Sequence, residues 1–287
     1  MSSTSLTALL VELFGENGGL PGISLAIGGF LISELFLILV VSRKLLKADM
    51  GAAWAGAAII IAFQLFLTPD FEDAFLDIAL YGVYTFSFST AVFLAALLIL
   101  SYGAEFEGFL KYLLAALLLI FSVLTAGGAL VMTVPMLFVY IIAAVWYQAR
   151  GAHGRTLIAV GAALYFLAFL INIFSPATQA ELAPIMETLE ALGESTSLTR
   201  TVRYSVITAV PYAFRCLNAA CAVGALLLLP LLVKAARKNG GNYPLPALVS
   251  VSSFCLYVTF YSPSMYTLGL LGGGANLSNI YSWAFYL

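Results

Sequence analysis

Eight uninterrupted apolar segments divide this chain, and their length constrains the fold more than any other feature. They fall at residues 20–41, 52–67, 83–101, 109–124, 129–147, 157–174, 205–233 and 245–261. A helix of about 20 residues crosses the hydrocarbon core of a bilayer, which is roughly 30 Å thick. We therefore expect eight full transmembrane helices.

A ninth apolar segment begins at residue 280 and ends with the chain at Leu287. Eight helical residues rise only about 12 Å, which is too short to cross a bilayer. We expect a truncated ninth helix, in a chain that is a fragment of a longer protein.

The composition requires lipid as the solvent for these segments. The chain is 62% hydrophobic and 9% charged, with a mean hydropathy of +1.04, whereas soluble domains are about half apolar and about a quarter charged. Only helices and closed barrels satisfy their backbone hydrogen bonds in lipid, and barrel strands are short and alternating. The continuous apolar runs predict an all-α polytopic integral membrane protein with a single transmembrane domain over residues 1–287.

The basic residues predict which ends of these helices face the cytosol. Nine of the twelve lie on one set of alternate connections: Arg43, Lys44, Lys47, Lys111, Arg150, Arg155, Lys234, Arg237 and Lys238. The other connections hold only Arg200 and Arg203, and Arg215 lies within the seventh segment. Because basic residues concentrate in cytoplasmic loops, we expect the N-terminus and the acidic connections to lie outside. Leucines spaced at helical intervals make residues 1–19 an interfacial segment on that outer face.

Charge and cysteine content exclude several classes of function. The net charge of −2 offers no basic patch for nucleic acid. A single histidine, His153, cannot build a zinc site, which needs more ligands of this kind than the chain offers. The cysteines Cys216, Cys221 and Cys255 all lie in apolar stretches, where free cysteine usually packs as a small buried side chain.

Three of the four carboxylates in the first expected outer connection lie at helical spacing. At helical spacing, Asp70, Asp73 and Asp77 share one face, opposite Phe71 and Phe75. This face has the groups of a general base or of a divalent-cation site. The alternative is the solvated side of an amphipathic interfacial helix, and the sequence leaves both interpretations open.

The long outer connection, residues 175–204, is predicted to contain a second interfacial amphipathic helix. Thr178 and Glu181 have the spacing of a capping box, although Pro184 would allow a start at residue 183 instead. Arg200 and Arg203 follow this helix. They could bind a lipid phosphate through bidentate hydrogen bonds, or pair with nearby glutamates or ordinary headgroups.

The seventh apolar segment carries a polar stripe. Tyr204, Thr208, Pro211, Arg215 and Asn218 recur at intervals of three and four residues. An arginine within a membrane segment is costly and is a functional candidate by default. Arg215 could instead extend its guanidinium to the interface or be held by carbonyl groups.

Three stretches resemble a known family. They are Tyr81-Gly82-Val83-Tyr84-Thr85-Phe86-Ser87-Phe88-Ser89, Ile171-Asn172-Ile173-Phe174-Ser175-Pro176-Ala177, and Tyr261-Ser262-Pro263-Ser264-Met265-Tyr266-Thr267-Leu268-Gly269 with Asn279-Ile280. Together they resemble poorly characterised bacterial polytopic proteins that are similar to GT-C-type glycosyltransferases and to O-antigen glucosyl-transferring membrane proteins.

The resemblance implies an enzyme of the bacterial cytoplasmic membrane. It would move a sugar from a polyprenyl-phosphate-linked donor to a cell-envelope acceptor on the non-cytoplasmic face. An outer acidic residue would act as base or hold a divalent cation, and basic groups would hold the donor phosphate. Carried onto this chain, the catalytic candidates are Asp70, Asp73 and Asp77, and the substrate-binding candidates are Arg200, Arg203, Arg215, Asn172 and Tyr266.

Departures from the family pattern keep two alternatives open. The family reads Pro-Gly-Asn where this chain has Ala177 and Thr178 after Pro176, and it carries an arginine where this chain has Asn276. A transporter or flippase for a lipid-linked or small polar solute would also use the stripe on the seventh segment. A non-enzymatic membrane scaffold would need none of these groups.

Overall fold

The computed structural model describes residues 19–67, 85–102, 108–191, 197–216, 219–238 and 246–267. Within these ranges every regular element is helical, which confirms the all-α fold there. The helices are α1 Gly19–Val40, α2 Met50–Leu67, α3 Phe86–Ser101, α4 Gly108–Ala126, α5 Leu130–Ala149, α6 Arg155–Ile173, α7 Pro176–Ala191, α8 Leu198–Cys216, α9 Ala219–Lys238, α10 Pro246–Thr259 and α11 Ser262–Thr267. A π-helical turn, Val41–Leu45, continues α1.

Three of these helices, α4, α5 and α6, are long and apolar enough to cross a membrane. Shorter apolar stretches occupy α2 and α3, over Met50–Phe66 and Phe86–Ser101. Large apolar side chains point outward from the bundle; Phe109 on α4 is 76% exposed and Ile171 on α6 is 73% exposed. In water such a surface would aggregate, whereas lipid chains match it. Residues 1–18 and 280–287, where an interfacial segment and a truncated helix are expected, lie outside the described ranges.

Helix α3 is the centre of the bundle, in contact with α1, α4 and α5. Its buried side chains point in every direction around its axis, as expected of a helix that is apolar on all sides. Its hydroxyl groups are satisfied locally. Ser89 donates to Thr85 O at 2.9 Å, Thr90 donates to Ser87 O at 2.9 Å, and Ser101 donates to Leu97 O at 2.5 Å.

Helices α4, α5 and α6 pack closely because α6 has a glycine at the crossing point. A Cβ atom added to Gly161 would lie 2.7 Å from Tyr140 Oη and 2.8 Å from Leu118 Cδ2. The Tyr140 hydroxyl is in turn hydrogen-bonded to Ser122 on α4. One turn further along α6, the hydroxyl of Tyr165 donates to Thr133 O at 2.8 Å. Small residues allow this close approach between membrane helices.

One end of the bundle collects the connections that carry basic residues. Lys44 Nζ lies 3.5 Å from Tyr102 O at the end of α3, and Gly154, before α6, packs against the last residue of α3. Asp49, before α2, forms an ion pair of 2.6 Å with Lys234 near the end of α9. Four connections that are far apart in sequence therefore lie at the same end, as alternating helix directions require.

The connection that is predicted to lie outside, residues 175–204, differs in its helix bounds from the sequence prediction. Helix α7 begins at Pro176, and its cap is Ser175, whose Oγ accepts the Thr178 backbone N–H at 3.2 Å. The predicted capping box at Thr178 is therefore wrong, because the helix has already begun two residues earlier. Proline is favourable at that first helical position, where its missing N–H would have no partner within the helix. Pro184 lies inside this helix rather than at its start.

The seventh apolar segment also differs from its predicted bounds. Helix α8 begins at Leu198, seven residues before residue 205, because Ser197 caps it; Ser197 Oγ accepts the Arg200 backbone N–H at 3.2 Å. The segment is divided between α8 and α9, and residues 217–218 lie outside the described ranges. Cys255, expected to be buried, is exposed on α10.

Candidate functional site

The first turn of α8 holds Arg200 and Arg203, which the sequence analysis predicts to lie on the outer face. The Arg200 side chain is partly buried, and its Cζ lies 5.7 Å from the centre of the Tyr204 ring. The Arg203 side chain is exposed, and the structure gives it no ion pair with any described carboxylate. Glu187 and Glu190 on α7 are themselves exposed. The sequence analysis left open that glutamates of α7 pair with these arginines. No described contact of Arg203 supports that alternative.

Helix α8 packs against α11, which brings the arginine-bearing helix next to the helix that carries Tyr266. Thr208 Oγ1 lies 3.7 Å from Met265 Sδ at this contact, and the neighbouring Tyr266 is 43% exposed. Arg215 lies on α8, one residue before its end at Cys216.

Asn172 is held by the helix–helix packing. Its side chain is 8% exposed, and its Nδ2 donates to Ala126 O and to Gly128 O, each at 2.9 Å. Both acceptors belong to the short connection between α4 and α5. At Gly128 an added Cβ atom would lie 2.6 Å from Ser87 Oγ. The amide of Asn172 thus ties α6 to this connection and, through it, to the start of α3.

The predicted catalytic candidates Asp70, Asp73 and Asp77 lie outside the described residues. Within the described residues, no group of three or more His, Cys, Asp or Glu side chains is arranged to hold a metal ion. The structure therefore places Arg200 and Arg203 on the helix that packs against the helix of Tyr266, while Asn172 is engaged in a separate contact.

A buried acid that the sequence analysis did not select lies inside the bundle. Glu34 on α1 is 0% exposed, and its Oε1 accepts a hydrogen bond of 3.1 Å from Gln64 Nε2 on α2. Gln64 is 1% exposed. Glu34 is the only ionisable residue in the first apolar segment, and the rule that selected Arg215 would have selected it as well. Its partner, 30 residues away, has no comparable signal in the sequence.

Comparison with protein-family models, with characterised proteins and with solved structures gives no match for this chain.

Proposed function

We propose that this chain is a membrane glycosyltransferase of the bacterial cytoplasmic membrane. In this proposal it crosses the bilayer eight times with its N-terminus outside. It transfers a sugar from a polyprenyl-phosphate-linked donor to a cell-envelope acceptor on the non-cytoplasmic face. The proposal rests on the family resemblance, and the observation in its favour is the arginine pair on the first turn of α8.

Several features make the arginine pair suitable for binding a lipid-linked phosphate. Arg200 and Arg203 are three residues apart, so they share one helix face. Guanidinium groups bind phosphate oxygens through paired hydrogen bonds. The partial positive charge of a helix N-terminus adds to theirs, and Tyr204 provides an aromatic surface beside Arg200.

The proposed reaction is a displacement at the anomeric carbon of the donor sugar. A carboxylate among Asp70, Asp73 and Asp77 removes the proton of the acceptor hydroxyl. The acceptor oxygen then bonds to the anomeric carbon while the bond to the polyprenyl phosphate breaks. Arg200, Arg203 and Arg215 stabilise the negative charge that develops on this leaving phosphate, and Tyr266 is proposed to contact the substrate from α11.

The test is transfer of radiolabelled sugar from polyprenyl phosphate by the full-length protein in membranes. Arg203→Ala removes charge-assisted hydrogen bonds of about 1.5–3 kcal/mol, so we expect about a ten- to hundredfold loss of rate. Arg237→Ala is the matched control, because Arg237 is an exposed cation on α9 at the opposite end of the bundle. Absence of transfer by the wild-type protein, or equal rates for the two variants, would contradict the proposal.

A transporter or flippase is the second candidate, and the buried Glu34 favours it. Carriers place ionisable groups within the membrane, on the path of the solute or of a coupling ion. The assay that separates the two is transbilayer movement of an intact fluorescent polyprenyl-phosphate sugar in proteoliposomes. Movement without cleavage would support the carrier, and cleavage without movement would support the transferase.

A further inference from the structure

The Glu34 carboxyl group is enclosed by the bundle but only half satisfied. Its Oε1 accepts the hydrogen bond from Gln64, whereas its Oε2 is buried and has no hydrogen-bond partner in the part of the chain that the structure describes. The neighbouring hydroxyl, Ser33 Oγ, donates instead to Phe30 O at 2.8 Å. One oxygen of a fully buried acid therefore remains available to a ligand.

No cation of the helices packed on α1 offsets a charge at this position. Helix α1 packs against α2, α3 and its own π-helical turn, and neither α2 nor α3 contains an ionisable side chain. The turn carries Arg43 and Lys44, both exposed. Arg43 lies nine residues beyond Glu34, about 14 Å along a helix axis. Its Nη1 donates to Ala48 O, and Lys44 Nζ approaches Tyr102 O.

We infer that Glu34 is a proton-exchange site within the membrane. A bare carboxylate enclosed in a low-dielectric interior is strongly disfavoured unless a cation accompanies it. A proton needs one lone pair, which Oε2 supplies, whereas a metal cation needs several oxygen ligands at once. Full enclosure of the carboxyl group also favours the smallest ligand.

The exchange itself is a simple acid–base step. When the bundle opens, the Oε2–H bond breaks and a water molecule takes the proton as hydronium. The negative charge stays on the carboxylate, where the Gln64 amide continues to donate to Oε1. Re-protonation from water reverses the step. This inference does not rest on sugar transfer, and a failed transferase assay would leave it unchanged.

Infrared difference spectroscopy of the full-length protein in phosphatidylcholine–phosphatidylglycerol vesicles tests whether Glu34 binds and exchanges a proton. We expect a carbonyl band of a protonated carboxylic acid that moves to lower frequency in D2O and is absent in Glu34→Gln. That variant retains the shape and the hydrogen-bond acceptor of the acid, and its elution profile reports its folding. Glu187→Gln, on the exposed face of α7, is the matched control and should leave the band unchanged.

A second arm of the infrared experiment removes the Gln64 amide that donates to Glu34. In Gln64→Leu the carbonyl oxygen loses its donor, so the Glu34 band should persist and move to higher frequency. An unchanged band in this variant would contradict the assigned geometry.

Three results would overturn the inference. Absence of a Glu34-dependent band would mean that the group is ionised. A band whose frequency does not change in D2O after full equilibration would mean that Glu34 is a structural acid that does not exchange its proton. Loss of the band when sodium chloride replaces choline chloride would identify a metal-cation site instead.

Discussion

Gly161→Ala tests the packing at the centre of the α4–α5–α6 contact. The added Cβ atom would lie 2.7 Å from Tyr140 Oη and 2.8 Å from Leu118 Cδ2, and both of these side chains are fully buried. They must move, and movement of Tyr140 strains its hydrogen bond to Ser122.

The expected magnitude follows from three contributions. Replacing glycine by alanine inside a helix is worth about 1 kcal/mol in favour of the variant. Overpacking a close-packed core costs about 1–3 kcal/mol, and losing the Tyr140–Ser122 hydrogen bond costs about 1 kcal/mol. We therefore expect Gly161→Ala to destabilise the protein by about 1–3 kcal/mol.

Gly28→Ala is the matched control, because Gly28 lies in the interior of α1 and a Cβ atom there meets no described atom within 4 Å. This variant gains only the helix propensity, so we expect it to be stabilised by up to about 1 kcal/mol. The assay is reversible unfolding in mixed micelles, followed by circular dichroism for the wild type and both variants.

A double mutant isolates the contact responsible. Tyr140→Phe removes the atom nearest the new methyl group, so Gly161→Ala should cost about 1 kcal/mol less in that background. Equal stability of Gly161→Ala and Gly28→Ala would refute the packing argument, and a strictly additive double mutant would refute the role of the hydroxyl.

Three further predictions address other parts of the fold. Asn172→Leu removes two buried hydrogen bonds and should lower the free energy of unfolding by about 2 kcal/mol in the same assay. A decrease of less than a few tenths of a kcal/mol would contradict the contribution of these hydrogen bonds to stability. Ser175→Ala removes the cap of α7, which should destabilise the first turn of that helix by about 1 kcal/mol. Hydrogen exchange should therefore increase in the first turn of α7 and stay unchanged in α6. In a cysteine-free background, Lys44→Cys and Arg237→Cys should react with an impermeant thiol reagent from one side and Glu187→Cys from the other; any other distribution would contradict the alternating arrangement.

The positions of the membrane helices could be predicted from the sequence because apolar runs define them. The segment predicted at residues 109–124 is Gly108–Ala126, and the segment at 157–174 is Arg155–Ile173. Caps are harder to predict, because Ser175 and Thr178 both precede an apolar stripe and only the backbone geometry decides between them. The early start of α8 was missed because its first turns are polar, and polarity suggests a loop.

The central place of α3 could not be predicted from its composition. In lipid, a face toward the tails and a face toward other helices can be equally apolar, so hydrophobicity does not separate them. Helix α4 is as apolar as α3, yet Phe109 is exposed and Phe88 on α3 is fully buried. The Glu34–Gln64 hydrogen bond depends on how α1 and α2 align, which no local pattern specifies.

The hydroxyl groups of α3 bear on how this protein is made. A helix released into the bilayer before its neighbours arrive must satisfy its own polar groups. Ser89, Thr90 and Ser101 already donate to carbonyl oxygens of the same helix or of the residue that precedes it. These hydroxyl groups therefore need no other helix for their hydrogen bonds while α3 lies in lipid during biosynthesis. Ser87 Oγ, by contrast, accepts the backbone N–H of Ala129. That bond can form only after α5 begins to emerge, which makes it a marker for the moment when separate inserted helices become an assembled bundle.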